Sequence, residues 1–256
     1  MATPEIKSVS KAFALLDQLA ASSGGLSLPA MAEGCGMTNA TAHRLLATLV
    51  SLGAVVHAGP GRYAIGLHML ELTRRSSLTE LLASSATPVL NRITRTTGAT
   101  AHVGMLDDEA MVTYVARSVG RSAHAHIPTH PGNKLEAYCS GLGKVLLAGL
   151  SPAHRADYLA EGSFPALTAQ TIAEPDALAR ELTTIAHRRY AVDNGEMFDD
   201  LRCVAVPIFD SEGRVVAALS TSGSGRDLPE PDVPAIVAQL GHHAASISAK
   251  LYPRAM

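Results

Sequence analysis

At 256 residues the chain is long enough for two modest domains, each able to bury a core of its own. Its 47% hydrophobic and 17% charged residues suit a soluble globular protein; no apolar run approaches a bilayer's thickness, and the stretch around Glu5 and Lys7 lacks a signal-peptide core, so the cytoplasm is the expected location and no membrane partner is expected. A net charge of −2 excludes a protein that coats nucleic acid indiscriminately, yet residues 1–77 are net +2, with Lys7, Lys11, Arg44, Arg62, Arg74 and Arg75 against Glu5, Asp17, Glu33 and Glu71.

The first predicted element is a helix over residues 8–21, with Val9, Ala12, Phe13, Leu16 and Leu19 forming one apolar stripe before Ser22-Ser23-Gly24-Gly25 ends it. Ser27 can cap a short second helix that has Pro29 in its first turn and Met31 and Ala32 on its apolar side. Gly34-Cys35-Gly36 breaks that helix and Thr38 caps the next. In this third helix Ala42, Leu45, Leu46, Leu49 and Leu52 form the expected buried face, while Ala40, His43, Arg44, Ala47, Thr48 and Ser51 lie opposite. Gly53 stops it. Strands over residues 54–58 and 62–65 follow, divided by the turn Gly59-Pro60-Gly61.

Helix, tight turn, helix and hairpin make up a winged helix-turn-helix, whose second helix fits a major groove with its N-terminal residues against base edges. The small first turn of Thr38, Asn39, Ala40 and Thr41 lets the backbone come close, with His43 and Arg44 one turn further on. Arg44 can pair with a phosphate or, bidentately, with guanine, and Arg62 beside the hairpin tip suits a phosphate or the minor groove. The rival use of such a module is protein contact.

Residues 67–77 read as a linker helix that either spaces or dimerises, and residues 78–97 as a longer helix with Pro88 bending it and Gly98 ending it. Strands are expected at 100–106, 111–117 and 122–127, helices at 141–150 and 175–187, a hairpin over 202–209 and 214–222, and a closing helix at 231–251. The fold class is therefore α+β: a winged helix-turn-helix at 1–66, a linker at 67–80, and a mixed domain at 81–256 with an antiparallel-rich sheet.

Three stretches of that second domain, together with the front of the chain, resemble a known family. They are Ser140 to Ala148 (SGLGKVLLA), Tyr190 to Glu196 (YAVDNGE) and Leu201 to Ile208 (LRCVAVPI), joined by Arg44-Leu45-Leu46 and Arg62 to Gly66 (RYAIG). The chain in this respect is similar to the IclR-type bacterial transcriptional regulators. The resemblance implies a GAF-like α/β effector domain, dimers often paired into tetramers, and a response to small organic acids. It also implies a ligand site on the backbone amides of Gly141 and Leu142 and on Asp193, Cys203, Ser220 and Ser222. Asp200 stands where the family usually has Gly, and Glu136 where many members have Pro.

The residues themselves are compatible with that site. A helix opening at Gly141 offers free N–H groups to a carboxylate, Ser220 and Ser222 share a strand face, and Asp193 suits a hydroxy- or keto-acid if it meets a ligand hydroxyl or is protonated. Other motifs carry less. Cys35, Cys139 and Cys203 form no CxxC pair and read as small buried hydrophobes. His124, His126 and His130 can meet a metal but lack a neighbouring Cys or carboxylate, so a polar lining is expected and no cofactor or metal. Gly143-Lys144 mimics the end of a phosphate loop without its Ser/Thr. The expected function is a ligand-responsive, dimeric or tetrameric DNA-binding regulator, a repressor of a catabolic operon acting on a roughly palindromic double-stranded operator. The rivals are an enzyme with Cys203 or a Ser as nucleophile, and a protein-binding signalling module.

Overall fold

The computed structural model describes residues 4–73, 77–121, 129–160 and 162–253. The chain divides into two compact units, Met1–Ser77 and Leu78–Met256.

The first unit runs α1 (Lys7–Ala20), β1 (Leu26–Ser27), α2 (Leu28–Gly34), α3 (Asn39–Ser51), β2 (Val55–His57), β3 (Arg62–Ile65) and α4 (Leu67–Thr73). Its three strands pair antiparallel in the order β1-β3-β2, with Val55 opposite Ile65 and Leu26 opposite Tyr63. Leu15, Leu16 and Leu19 of α1 pack on Met31, Leu46, Leu49 and Val55. The α2–α3 turn depends on Gly36: at φ +60° it lets the Met37 N–H reach the Ala32 carbonyl at 2.9 Å, a left-handed conformation that costs a side-chain-bearing residue roughly 1–2 kcal/mol. Thr38 caps α3 as expected, its Oγ1 accepting the Thr41 N–H at 3.3 Å.

Two expectations for this core fail. Leu52 is 61% exposed, because it follows the last helical residue and leaves the stripe it would have continued. Val9 and Phe13 are 51% and 58% exposed, so α1 buries Leu15, Leu16 and Leu19 and presents a second apolar edge outward with Ile6.

The second unit is a six-stranded antiparallel sheet in the order β6-β5-β4-β9-β8-β7. The strands are β4 (Thr100–Leu106), β5 (Val112–Ser118), β6 (Lys134–Leu135), β7 (Ala191–Asn194), β8 (Leu201–Phe209) and β9 (Val215–Ser224). Helix α5 (Leu78–Thr97), which continues past Pro88, and α9 (Val233–Leu251) cover one face. There Leu82, Leu90 and Ile93 meet Val204, Val206 and Leu219. Helices α6 (Gly141–Ala148) and α8 (Pro175–Arg188) cover the other, where Leu142, Leu146, Leu178 and Leu182 meet Tyr114, Ala205 and Ala218. Neighbouring residues of β8 and β9 thus enter opposite cores, the two-faced burial of a sheet with helices on both sides.

Strand β7 and helix α7 (Pro152–Ala160) had no counterpart in the sequence reading. Strand β7 has only four residues with Asp193 inside it, and no residue of α7 is buried, so neither carries an apolar period. The closing helix starts at Val233 after a 3-10 turn, Glu230–Asp232. The expected strand at 122–127 lies outside the described residues.

Candidate functional site

On α3, the side opposite the core is open: Thr38, Asn39, Ala40, His43, Arg44, Ala47, Thr48 and Ser51 are exposed, and Thr41 is half-buried with its hydroxyl 3.0 Å from that of Thr38. Arg44 has no ion-pair partner among the described residues, so its guanidinium stays available to an anion. Arg62 has a use that the sequence did not suggest. Its Nε and Nη2 donate to the carbonyls of Gly24 and Gly25 at 3.1 and 2.5 Å, fastening the hairpin to the loop that precedes β1. The side chain remains exposed at the surface.

The second unit holds a small buried cavity between the sheet and the start of α6. Strand register makes it: Asp193, Cys203, Ser222 and Thr100 lie on one rung across β7, β8, β9 and β4, and Ser220 pairs with His102 on the next polar rung. Facing these are Ser140, Gly141 and Leu142 at the head of α6, with Tyr114, Thr129, Met197 and Leu201 closing the walls. All six sequence-predicted ligand residues are therefore brought together. The space open to the centre of a water molecule is about 30 Å³, within about 450 Å³ of non-atom volume that includes the mouth.

The helix head is prepared locally. Ser140 caps α6 by accepting the Gly143 N–H at 3.1 Å, which leaves the earlier amides to face the sheet. Gly141 keeps the approach to the sheet close: a Cβ there would sit 3.0 Å from Cys203 Sγ, so the thiol would have to give by a few tenths of an ångström. Ser220 Oγ is buried beside the Cys203 thiol, with no oxygen or nitrogen partner among the described residues.

The ionisable groups around the cavity are pushed toward neutrality. Burial, aided by the cation of Arg117, depresses the His102 imidazole to about 3, and its Nε2 lies 2.9 Å from Thr129 Oγ1. Burial, reinforced by Asp193, raises the Cys203 thiol to about 12, opposite to what a nucleophile requires. Burial likewise lifts the Asp193 carboxyl to about 7, although it accepts the Glu196 N–H at 2.7 Å. Below the rung, Lys144 of α6 is 1% exposed; its Nζ donates to the Val192 carbonyl at 2.9 Å and pairs with Glu196, tying α6 to the segment after β7. Thr168 and Thr171 fasten that segment further, donating to the carbonyls of Gly195 and Glu196 at 2.6 Å each.

Two family models cover this architecture: residues 8–59 match the IclR helix-turn-helix domain, and residues 77–249 match the bacterial transcriptional regulator IclR C-terminal domain. The chain belongs to the IclR family of transcriptional regulators. It is 32% identical to the HTH-type transcriptional regulator BhcR of Paracoccus denitrificans over 97% of this chain and 88% of that one. With the transcriptional repressor IclR of Escherichia coli it shares 30% identity over 87% and 81% of the two chains. Among solved structures, Thermotoga maritima IclR superposes with a TM-score of 0.63 at 30% identity, covering 96% of this chain and 99% of that one. An IclR homologue from Microbacterium hydrocarbonoxydans, solved with 4-hydroxybenzoate, has the same fold, with a TM-score of 0.62 at 24% identity over 95% and 98% of the two chains.

As an IclR-family protein the chain is a DNA-binding, ligand-responsive transcriptional regulator and not an enzyme; the curated relatives named above are regulators too. No helix among the described residues is long and apolar enough to cross a membrane. Of the three histidines weighed as metal ligands, His124 and His126 lie outside the described residues and His130 is exposed. Sequence reasoning missed His102, Tyr114 and Thr129 in the cavity wall and the Lys144–Glu196 pair beneath it. A histidine inside the apolar run of β4 was the one available hint, since a polar residue at a buried strand position asks for a partner.

Proposed function

We propose that the open face of α3 reads operator DNA and that the cavity at the head of α6 takes a small organic acid that alters operator affinity. Thr38, Asn39, Ala40, Thr41 and His43 approach base edges, Arg44 pairs with guanine or phosphate, and Arg62, while holding the hairpin, offers its remaining edge to the DNA backbone. In the cavity the amides of Gly141 and Leu142 take the carboxylate, with Ser220 and Ser222 as hydroxyl partners and Asp193 and Cys203 lining the remainder. The observation that carries this reading is the polar rung of Asp193, Cys203, Ser222 and Thr100, with Ser220 beside it, facing an α-helix N-terminus across a buried cavity.

Two copies bind a roughly palindromic operator as a dimer, and dimers pair into a tetramer. Support comes from the outer edge of α1, where Ile6, Val9 and Phe13 are 67%, 51% and 58% exposed on one helical face, and from Leu67, Leu70 and Leu72 of α4, all more than half exposed. Residues 67–80 form the linker between the DNA-binding module and the effector domain. The protein works in the cytoplasm as the repressor of a catabolic operon; relatives named as repressors, such as the transcriptional repressor IclR of Escherichia coli and the acetate operon repressor of Salmonella typhimurium, support the repressor part. A thermal-shift panel of short carboxylic acids tests the effector half: stabilisation by at least one acid that vanishes in Ser220→Ala and Ser222→Ala together supports it, and stabilisation that survives both substitutions refutes the assigned site.

A further inference from the structure

Three ionisable groups share one buried cluster beneath the cavity: Asp193 at 1%, Glu196 at 6% and Lys144 at 1% exposure. Two carboxyl groups thus face one ammonium. Lys144 is committed, pairing with Glu196 and donating to the Val192 carbonyl, with Glu181 of α8 next nearest at 3.9 Å. Among the described residues no cation is left in contact with Asp193, and Lys144 acts on it only from beyond ion-pair distance. The other titratable groups around it are no help to an anion: Cys203 on β8, Cys139 before α6 and Tyr114 on β5 are held protonated by burial, and His102 on β4 is neutral. Arg117 of β5 lies opposite His102 in the sheet and is not part of the cavity wall.

An effector carboxylate entering this space would add a third anion to the cluster while the described lining residues supply no positive charge. Two anions desolvated together in a low-dielectric site are far costlier than one anion beside a neutral acid. We propose that Asp193 meets the effector as a carboxylic acid, donating a hydrogen bond to an effector oxygen, so that binding of an anionic effector takes up one proton from solvent. This rests on the cavity being the effector site. The proton adds to a carboxylate oxygen of Asp193 and no covalent bond to the effector forms. The arrangement makes Asp193 a specificity residue: it favours acids with a second acceptor oxygen beside the carboxylate, a keto or hydroxyl group, over plain alkyl acids. Burial already holds the empty site's Asp193 at about 7, so an arriving anion has only a short way to push it.

The test is calorimetric titration of the full chain with pyruvate, lactate and glycolate, each in phosphate and in Tris at pH 8, where the carboxyls of all three are ionised. The difference in heat between buffers counts protons. Uptake approaching one proton per acid bound, with Kd rising by nearly tenfold from pH 7.5 to 8.5, is the expected result. Asp193→Asn copies the protonated acid: its amide oxygen can still accept the Glu196 N–H and its NH₂ can donate. Whatever affinity that variant retains, its acid binding should show neither the proton uptake nor the pH slope. Binding without proton exchange in the wild-type protein overturns the proposal by itself, whether or not the variant folds. Failure of all three acids to bind at millimolar concentration would instead overturn the effector reading on which it stands.

Discussion

Lys144 is the residue whose removal tests the architecture most severely. It is almost fully buried, its Nζ satisfies the Val192 carbonyl and one oxygen of the Glu196 carboxylate, and Glu196 Oε2 lacks a partner among the described residues. Lys144→Met preserves the stem that packs within α6 and deletes the charge together with the hydrogen bond to the Val192 carbonyl. Glu196 is then left as an unpaired, buried carboxylate, a loss of about 3–5 kcal/mol when one member of a buried pair is removed. The folded-state carboxyl of Glu196 is raised by burial even now, with Lys144 opposing that rise, so the variant would drive it further toward the protonated form and soften the penalty. At about 2–4 °C per kcal/mol for a domain of this size, the effector unit should melt about 10 °C lower. Replacing both partners, Lys144→Met with Glu196→Met, should recover most of the loss, because apolar groups of similar volume substitute well for a buried ion pair. Urea denaturation followed by circular dichroism reads both variants. A single variant within about 1 kcal/mol of wild type, or a double variant no better than the single, would refute the reasoning.

Arg44→Ala should weaken operator binding by about 1–3 kcal/mol in fluorescence anisotropy at fixed salt, with the melting temperature unchanged; equal affinity removes Arg44 from the interface. Gly141→Ala puts a methyl 3.0 Å from Cys203 Sγ, so acid binding should fall at least fivefold in calorimetry while operator binding in its absence persists. Asp193 gives a pH signature with a definite sign. Its folded carboxyl is raised from 3.8 to about 7, so the stability it contributes is present below pH 4 and lost as pH rises through 7. That loss is at most about 4 kcal/mol at about 1.4 kcal/mol per pH unit, and Asp193→Asn should therefore gain on wild type between pH 5 and pH 8 in urea titrations. A difference that stays flat across that range contradicts the raised carboxyl.

The front unit was largely legible because its cues are local. Thr38 caps, Gly36 turns and the Gly59-Pro60-Gly61 hairpin depend on residues within a few positions of one another, and all three sit where the pattern put them. Leu52 misled because helical periodicity is blind to where a helix ends. Phe13 and Val9 misled because an apolar stripe says what avoids water, not what covers it. In the second unit the long strands and α5, α6, α8 and α9 could be read, but β7 and α7 lack an apolar period of their own. The cavity shows the same division. Gly141 at a helix start and the Ser220/Ser222 pair are local patterns, whereas the approach of His102, Tyr114 and Thr129 is set by register and by segments distant in sequence. Lys144 looked like a fragment of a phosphate loop until its partner, 52 residues away, could be seen.

The central claim, that acid binding in the second unit changes the grip of the first on DNA, is tested most directly by one titration. Duplexes selected by the protein from random DNA provide the operator, and anisotropy measures its affinity with and without a saturating acid already shown to bind. The account predicts a shift of at least about fivefold, in the ordinary range of allosteric coupling, that disappears with Ser220→Ala and Ser222→Ala combined. An acid that occupies the cavity and leaves operator affinity unchanged would contradict it.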